Sequence, residues 1–228
     1  MNKFVLAFPL PVAVDKIFAI TENVKIAADT KTVMIPGCSV QFNVVRQGAS
    51  PELLDIFKER NDLTEEEEKS IAAHKSLLFL LGNVKSMEDV RMVNVAITKM
   101  FEAKAVGVYM QESGTSWTAD AFYDVLGAGE YPMDPWINII QGEETLYTLG
   151  LATFTLPDLS ISTSIEDPEE ALMMAAHSLF DGEVPAKSGS VLDWGEGEKY
   201  VLRQELKGLF SKDAPEYNKQ GLLRIVKK

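Results

Sequence analysis

The sequence is poor in the residues that most often build metal and nucleophilic sites. Among its 228 residues are one cysteine, Cys38, and two histidines, His74 and His177. A single cysteine excludes a disulfide within the chain and fits a reducing compartment. The histidines lie far apart in sequence, whereas zinc sites usually draw on closely spaced ligand pairs. We therefore expect no metal site and no catalytic residue of either type.

Motifs that cradle phosphates or activate a serine are also missing. Gly127-x-Gly129 lacks the third glycine and the following helix of a dinucleotide fingerprint, and the sequence contains no Walker-type lysine loop. No serine lies in a Gly-x-Ser-x-Gly motif. We therefore expect no cofactor. The absence of these motifs favours a protein without catalytic activity. Because carboxylate-only chemistry leaves no short motif, an enzyme stays the alternative.

Long apolar runs are absent as well. Residues 4–14 resemble the core of a signal peptide, but Pro9 and Pro11 interrupt them and no small-x-small cleavage site follows. The apolar run Leu77 to Leu81 is far shorter than the roughly 20 residues that span a bilayer. These features predict a cytoplasmic protein that does not enter a membrane.

The charge is strongly acidic. A net charge of −12 arises from 34 acidic and 22 basic side chains. Such a surface repels the phosphates of nucleic acids and of anionic membranes, and we identify no lysine and arginine cluster that offsets this repulsion. Neither is therefore expected as a partner, whereas a protein partner, and a basic one in particular, is electrostatically compatible.

The remaining composition, 46% hydrophobic and 25% charged residues, is that of an ordinary globular protein. Helix and strand patterns alternate over the first 125 residues, and strand patterns dominate the C-terminal part. This order predicts an α+β fold, with a mixed sheet and helices packed against it, in a single domain spanning residues 1–228. The predicted helices are 12–20, 51–60, 64–73, 86–103, 117–126 and 167–180. The predicted strands are 4–8, 33–35, 39–46, 75–81, 105–110, 135–141, 145–154, 159–164, 190–194, 199–206 and 221–226.

Two helices carry the clearest local signals. Thr64 and Glu67 form a capping-box pattern. Ser86 precedes a helix whose apolar residues repeat at helical spacing, and the strands on either side of it are expected to run parallel in one sheet. The apolar residues are Val90, Val93, Ile97, Met100 and Phe101.

Two pairs of short segments within the chain also resemble each other. Ser50-Pro51-Glu52 and Asp167-Pro168-Glu169 both read as helix starts, and Ala72-Ala73-His74 echoes Ala175-Ala176-His177. A weak internal duplication explains the echo, but proline is common at helix starts, so coincidence explains it too.

Aromatic and acidic side chains supply the candidate binding residues. Several tyrosines and tryptophans fall between Tyr109 and Tyr147, where they serve either core packing or recognition of a partner. The acidic turn from Asp193 to Glu198 favours a hairpin, since a calcium loop needs a longer array of oxygen ligands. The loose set of candidate ligand-binding residues comprises Glu112, Asp134, Trp136, Asp158 and Asp193.

Four segments share motifs with one known family. They are His74-Lys75 with Ser76 to Leu81, Ala105 to Tyr109 with Trp117 and Phe122, Pro135-Trp136-Ile137, and Thr148 to Leu151 with Phe154 and Leu156 to Leu159. These motifs resemble a bacterial family known as domain of unknown function 4261, over residues 70 to 195. The resemblance implies a compact α+β protein of bacterial origin. The family has no established activity, so no functional residue is transferred from it.

Two functions follow as hypotheses. The first is a non-enzymatic, acidic interaction module that neutralises or escorts another protein. The alternative is an enzyme or small-ligand-binding protein that uses carboxylates and aromatic rings.

Overall fold

The computed structural model describes residues 4–17, 25–26, 32–35, 37–129, 131–195, 199–205, 210–214 and 217–228. Its helices and two sheets confirm the predicted α+β class with a strand-rich C-terminal part. The chain forms two compact units, one of the described residues up to 111 with Thr115–Pro135, the other of Glu112–Gly114 with Trp136–Lys228. The single domain and the internal duplication stay predictions.

The first unit contains a seven-stranded sheet in which all neighbouring strands are antiparallel. Its strands are β1 (Phe4–Leu10), β2 (Lys25–Ile26), β3 (Thr32–Met34), β4 (Phe42–Gly48), β5 (Ser76–Gly82), β6 (Val108–Met110) and β7 (Thr115–Trp117). Their order across the sheet is β2-β3-β4-β5-β1-β6-β7.

The pair β1 and β5 lies at the middle of this sheet. The two strands pair along their whole length. Consecutive side chains of a strand point to opposite faces. Leu77 is 3% exposed and Leu78 is 0% exposed, so both faces of β5 are covered. Both β5 and β6 are antiparallel to β1, so they run parallel to each other as predicted, with β1 between them.

Four helices belong to the described part of the first unit. They are α1 (Leu53–Lys58), α2 (Glu65–Ala72), α3 (Met87–Glu102) and α4 (Ala119–Ala128). The capping box of α2 is confirmed, because the Thr64 hydroxyl accepts from the Glu67 amide and the Glu67 carboxylate accepts from the Thr64 amide. The predicted apolar face of α3 is buried throughout.

The second unit contains a six-stranded mixed sheet. Its strands are β8 (Asn138–Gln141), β9 (Thr145–Leu149), β10 (Asp158–Ser162), β11 (Val191–Asp193), β12 (Lys199–Gln204) and β13 (Leu222–Lys227). Their order is β11-β12-β13-β10-β9-β8, with β10 and β13 parallel and the other neighbours antiparallel. Helix α5 (Pro168–Phe180) packs on β9 and β10.

Three sequence-based predictions differ from the structure. Residues 151–154 form a 3-10 helix instead of continuing a strand, because Gly150 reverses the backbone at φ 107°. Trp117 ends strand β7, opposite Val108, rather than beginning a helix. Of the helix predicted over 12–20, the structure describes a 3-10 turn at Val14–Lys16, and residues 18–20 lie outside the described residues.

None of the helices that the structure describes combines the length and the apolar character needed to cross a membrane.

Candidate functional site

The structure separates the five candidate ligand-binding residues. Asp158 and Trp136 are buried in the second unit, at 4% and 2% exposure. Glu112 is half-buried in a turn of the same unit, and Asp134 is half-buried in the first unit. Asp193 is exposed on β11. Its carboxylate contacts the Lys199 ammonium at 2.6 Å, and this contact lowers the pKa of Asp193.

Asp158 is the centre of a buried hydrogen-bond network. Its Oδ2 accepts from Asn218 Nδ2 at 2.8 Å. Its Oδ1 accepts from the Leu151 amide at 3.3 Å and from the Thr148 hydroxyl at 3.5 Å. The Asn218 amide group also donates to the Leu156 carbonyl at 2.9 Å. One carboxyl group therefore joins the end of β9, the 3-10 helix after it and the loop before β13.

Burial and hydrogen bonding act on Asp158 in opposite directions. Loss of water destabilises its charged form, whereas the Asn218, Leu151 and Thr148 donors stabilise that form. Burial dominates and raises the pKa of Asp158 from 3.8 to about 7. A carboxyl group with such a pKa exchanges protons near neutral pH, which is what general acid–base catalysis requires.

The turn at Gly150 lies next to the segments that contain two further candidate residues, Trp136 and Glu112. A side chain at Gly150 would overlap the Trp136 carbonyl oxygen and lie 2.8 Å from Ser113 Cβ, so the backbone there needs glycine. Asn138 Nδ2 donates to the Ser113 carbonyl at 3.0 Å, which holds the segment containing Glu112 in place. The surroundings of Gly150 thus include the backbone carbonyl of Trp136 and the side chain of Ser113, the residue that follows Glu112.

The aromatic residues between 109 and 147 serve packing more than recognition. The Trp117 indole donates to the Pro135 carbonyl at 2.8 Å, and Trp136 stacks edge-on against Phe154 at 6.3 Å between ring centroids. Tyr123, at 45% exposure, is the one large exposed aromatic among them.

The sequence analysis missed a pair of acidic helices in the first unit as a candidate surface. We call α1 and α2 with their connection, residues 52–72, the acidic helix pair. It carries eight aspartates and glutamates against three basic residues. Six of its carboxylate side chains are exposed, those of Glu52, Asp55, Glu59, Asp62, Glu65 and Glu66. The run Glu65 to Glu68 is the signal that the sequence offers for this surface.

Core packing and the hydrogen bonds of one histidine hold the backbone of the acidic helix pair in place. Leu53, Phe57 and Ile71 pack with Leu77 of β5 in one core cluster. Buried His74, which follows α2, accepts from the Ser50 amide through Nε2 at 3.0 Å. Its Nδ1 therefore carries the proton and donates to the Ile71 carbonyl at 2.6 Å. This histidine ties the start of α1 to the end of α2.

The described residues contain no group of three or more His, Cys, Asp or Glu side chains arranged to hold a metal ion. A polar pocket of about 420 Å³ does lie in the first unit, between the residues before β4 and the start of α3. Asn83, Lys85 and Asp89 are among the residues that line it. None of the five candidate residues lies in its lining.

Replacing Gly150 by alanine should destabilise the second unit strongly. The positive φ alone costs about 1–3 kcal/mol for a residue with a side chain. The overlap with Trp136 should add another ~1–3 kcal/mol, as overpacking does. The matched control is Gly189→Ala, where φ is 91° and no atom lies within 4 Å of the added carbon. Denaturant melts should show the larger loss in Gly150→Ala, and equal losses would contradict the close approach.

The Asp158 carboxyl should make stability fall as pH rises. Its pKa is raised by folding, so its stabilising contribution is complete below pH 4 and is lost as pH rises to about 7. The upper limit of this loss is ~4 kcal/mol. Denaturant melts across this range should show a flatter profile for Asp158→Asn, while the exposed control Asp193→Asn keeps the wild-type fall. Parallel profiles for wild type and Asp158→Asn would refute the assignment.

No family model matches the chain, and comparisons with the curated proteins and with the solved structures give no significant match. The resemblance to domain of unknown function 4261 stays a prediction.

Proposed function

We propose that the protein is a non-catalytic interaction protein that binds a basic protein partner through the acidic helix pair. The observation that carries this proposal is the concentration of six exposed carboxylates within residues 52–72. The three basic residues of the helix pair neutralise them only in part. Lys58 contacts Glu68 at 2.7 Å and Lys69 contacts the exposed Glu65 at 3.3 Å, which leaves Arg60 to oppose the other five exposed carboxylates.

The rigidity of the helix pair favours recognition. Association has to offset the entropy of ordering side chains and loops at an interface, and a preformed surface lowers that cost. Here the core cluster, the His74 bridge and the capping box fix the backbone that presents the carboxylates. A partner therefore meets charges whose backbone positions are already set.

The wider charge distribution supports a basic partner. Residues 105–186 contain fourteen aspartates and glutamates and no lysine or arginine. Surfaces of one sign accelerate the approach of oppositely charged molecules and repel similar ones. A basic protein would be attracted over a wide area and would find its most concentrated set of countercharges on the helix pair.

Neutralising the helix pair should abolish partner capture. The test variant is Glu59→Gln/Asp62→Asn/Glu65→Gln/Glu66→Gln, and the control, Glu143→Gln/Glu144→Gln/Glu166→Gln/Glu183→Gln, removes four exposed charges from the second unit. In pull-downs from the parent cells, wild type and control should capture the same protein at low salt. Capture should fall at 0.3 M salt, where the Debye length drops below about 8 Å. Equal capture by both variants would refute the proposal.

A second candidate function is binding of a small polar ligand in the first unit. The observation that favours it is the pocket lined by Asn83, Lys85 and Asp89. Its volume of about 420 Å³ falls within the usual range for ligand sites, about 300–1,000 Å³. The opposite charges of Lys85 and Asp89 suit a ligand that carries both an acidic and a basic group.

A thermal-shift screen of metabolites tests this candidate, because a ligand that binds only the folded state raises the melting temperature. Hits should lose their effect in Asn83→Leu, a change that also removes a buried side-chain oxygen without a partner among the described residues. Asp158→Asn should retain the effect. Hits that depend on Asp158 instead would place the ligand in the second unit and overturn this candidate.

A further inference from the structure

We propose that the second unit carries a separate docking surface for an acidic polypeptide segment, on the exposed face of β12 and β13. We call it the basic sheet face and define it by Lys199, Val201, Arg203, Arg224 and Val226. It goes beyond the proposed function, because its charge is opposite to that of the acidic helix pair and its partner is acidic. It lies in the part of the chain where basic residues are concentrated, since residues 199–228 contain eight lysines and arginines and three acidic residues.

The register of the strands creates this face. Arg203 lies directly opposite Arg224, and Val201 lies directly opposite Val226. Residues two apart on a strand share a face, so Lys199, Val201 and Arg203 project on one side, together with Arg224 and Val226. The other side carries Leu202 and Ile225, which are 0% and 1% exposed and belong to the core.

The part of the chain that the structure describes supplies the facing arginines with little countercharge. Like charges directly opposite each other destabilise a strand pair, because their Cβ atoms are only about 4.5–5.5 Å apart. Arg224 has one carboxylate nearby, that of Glu205 at 3.9 Å, and both side chains are substantially exposed. Among the described residues, Arg203 has no ion-pair partner. A carboxylate bound between the two guanidinium groups would relieve their repulsion and accept charge-assisted hydrogen bonds.

An apolar row lies beside the arginines. Val191 of β11 faces Val201, which faces Val226, so three valines cross three adjacent strands. Val191 and Val226 are 40% and 37% exposed, whereas Val201 between them is 8% exposed, so the row is accessible at its two ends. On the far side of this row, Lys199 pairs with Asp193. The face thus places the two arginines beside an apolar row, with the Lys199–Asp193 ion pair beyond that row.

This combination of cationic and apolar groups favours a polypeptide over a nucleic acid. An acidic segment with interspersed aliphatic residues offers both carboxylates for the arginines and apolar side chains for the valines. A phosphate backbone offers charge but no aliphatic side chains. The occupant assigned here is therefore an acidic, partly aliphatic segment of another protein.

The test measures fluorescence anisotropy of a labelled peptide of alternating glutamate and valine. Wild type should bind it, and Arg203→Gln/Arg224→Gln should weaken binding about tenfold or more, since each charge-assisted hydrogen bond contributes substantially. Val226→Thr should weaken binding less. The control Lys75→Gln/Lys104→Gln removes two exposed charges from the first unit and should bind as wild type.

The melting temperature of each variant is measured alongside its peptide binding. Removing two facing like charges should leave the melting temperature unchanged or raised, and if the double variant unfolds, Arg203→Gln alone provides the comparison. Three results would overturn the proposal. They are equal binding of a peptide with glutamine in place of glutamate, wild-type affinity in the arginine variants, and tighter binding of a single-stranded oligonucleotide or of anionic vesicles than of the peptide.

Discussion

Because β5 buries side chains on both of its faces, the first unit must cover two sides of one strand with apolar groups. The strand β1 beside it is buried in the same way, and α1 and α2 reach the sheet through Leu53, Phe57 and Ile71 against Leu77. This packing leaves only the outer side of the short helices for charged residues. The position of the acidic helix pair is therefore a consequence of how the core is covered, and the core contacts of Leu53, Phe57 and Ile71 fix the backbone that carries the carboxylates.

The packing of the second unit depends on a buried carboxyl group, that of Asp158. Asp158 accepts hydrogen bonds from three separate segments, and none of those donors would be satisfied by an aliphatic side chain at that position. Fully connected buried networks specify one arrangement of the chain, whereas a network that loses a member leaves unpaired groups in a low-dielectric interior.

Features that depend on neighbouring residues could be predicted from the sequence, whereas features that depend on contacts between distant residues could not. The capping box at Thr64 and the apolar repeat of α3 depend on residues a few positions apart, so they are readable from the sequence. The 3-10 helix after Gly150 depends on a carbonyl of Trp136, and the arginine pair depends on β12 and β13 meeting in one register. Asp158 was among the candidate residues, but only its burial distinguishes it from Asp134 and Asp193.

The raised pKa of Asp158 also gives folding a chemical stoichiometry. In the unfolded chain this carboxyl is ionised at neutral pH, whereas in the folded chain, with a pKa of about 7, it is about half protonated. Folding of the second unit therefore takes up a fraction of a proton from the solvent. The calorimetric enthalpy of unfolding must then include the ionisation heat of the buffer, so that phosphate and Tris would report different heats for the same structural change.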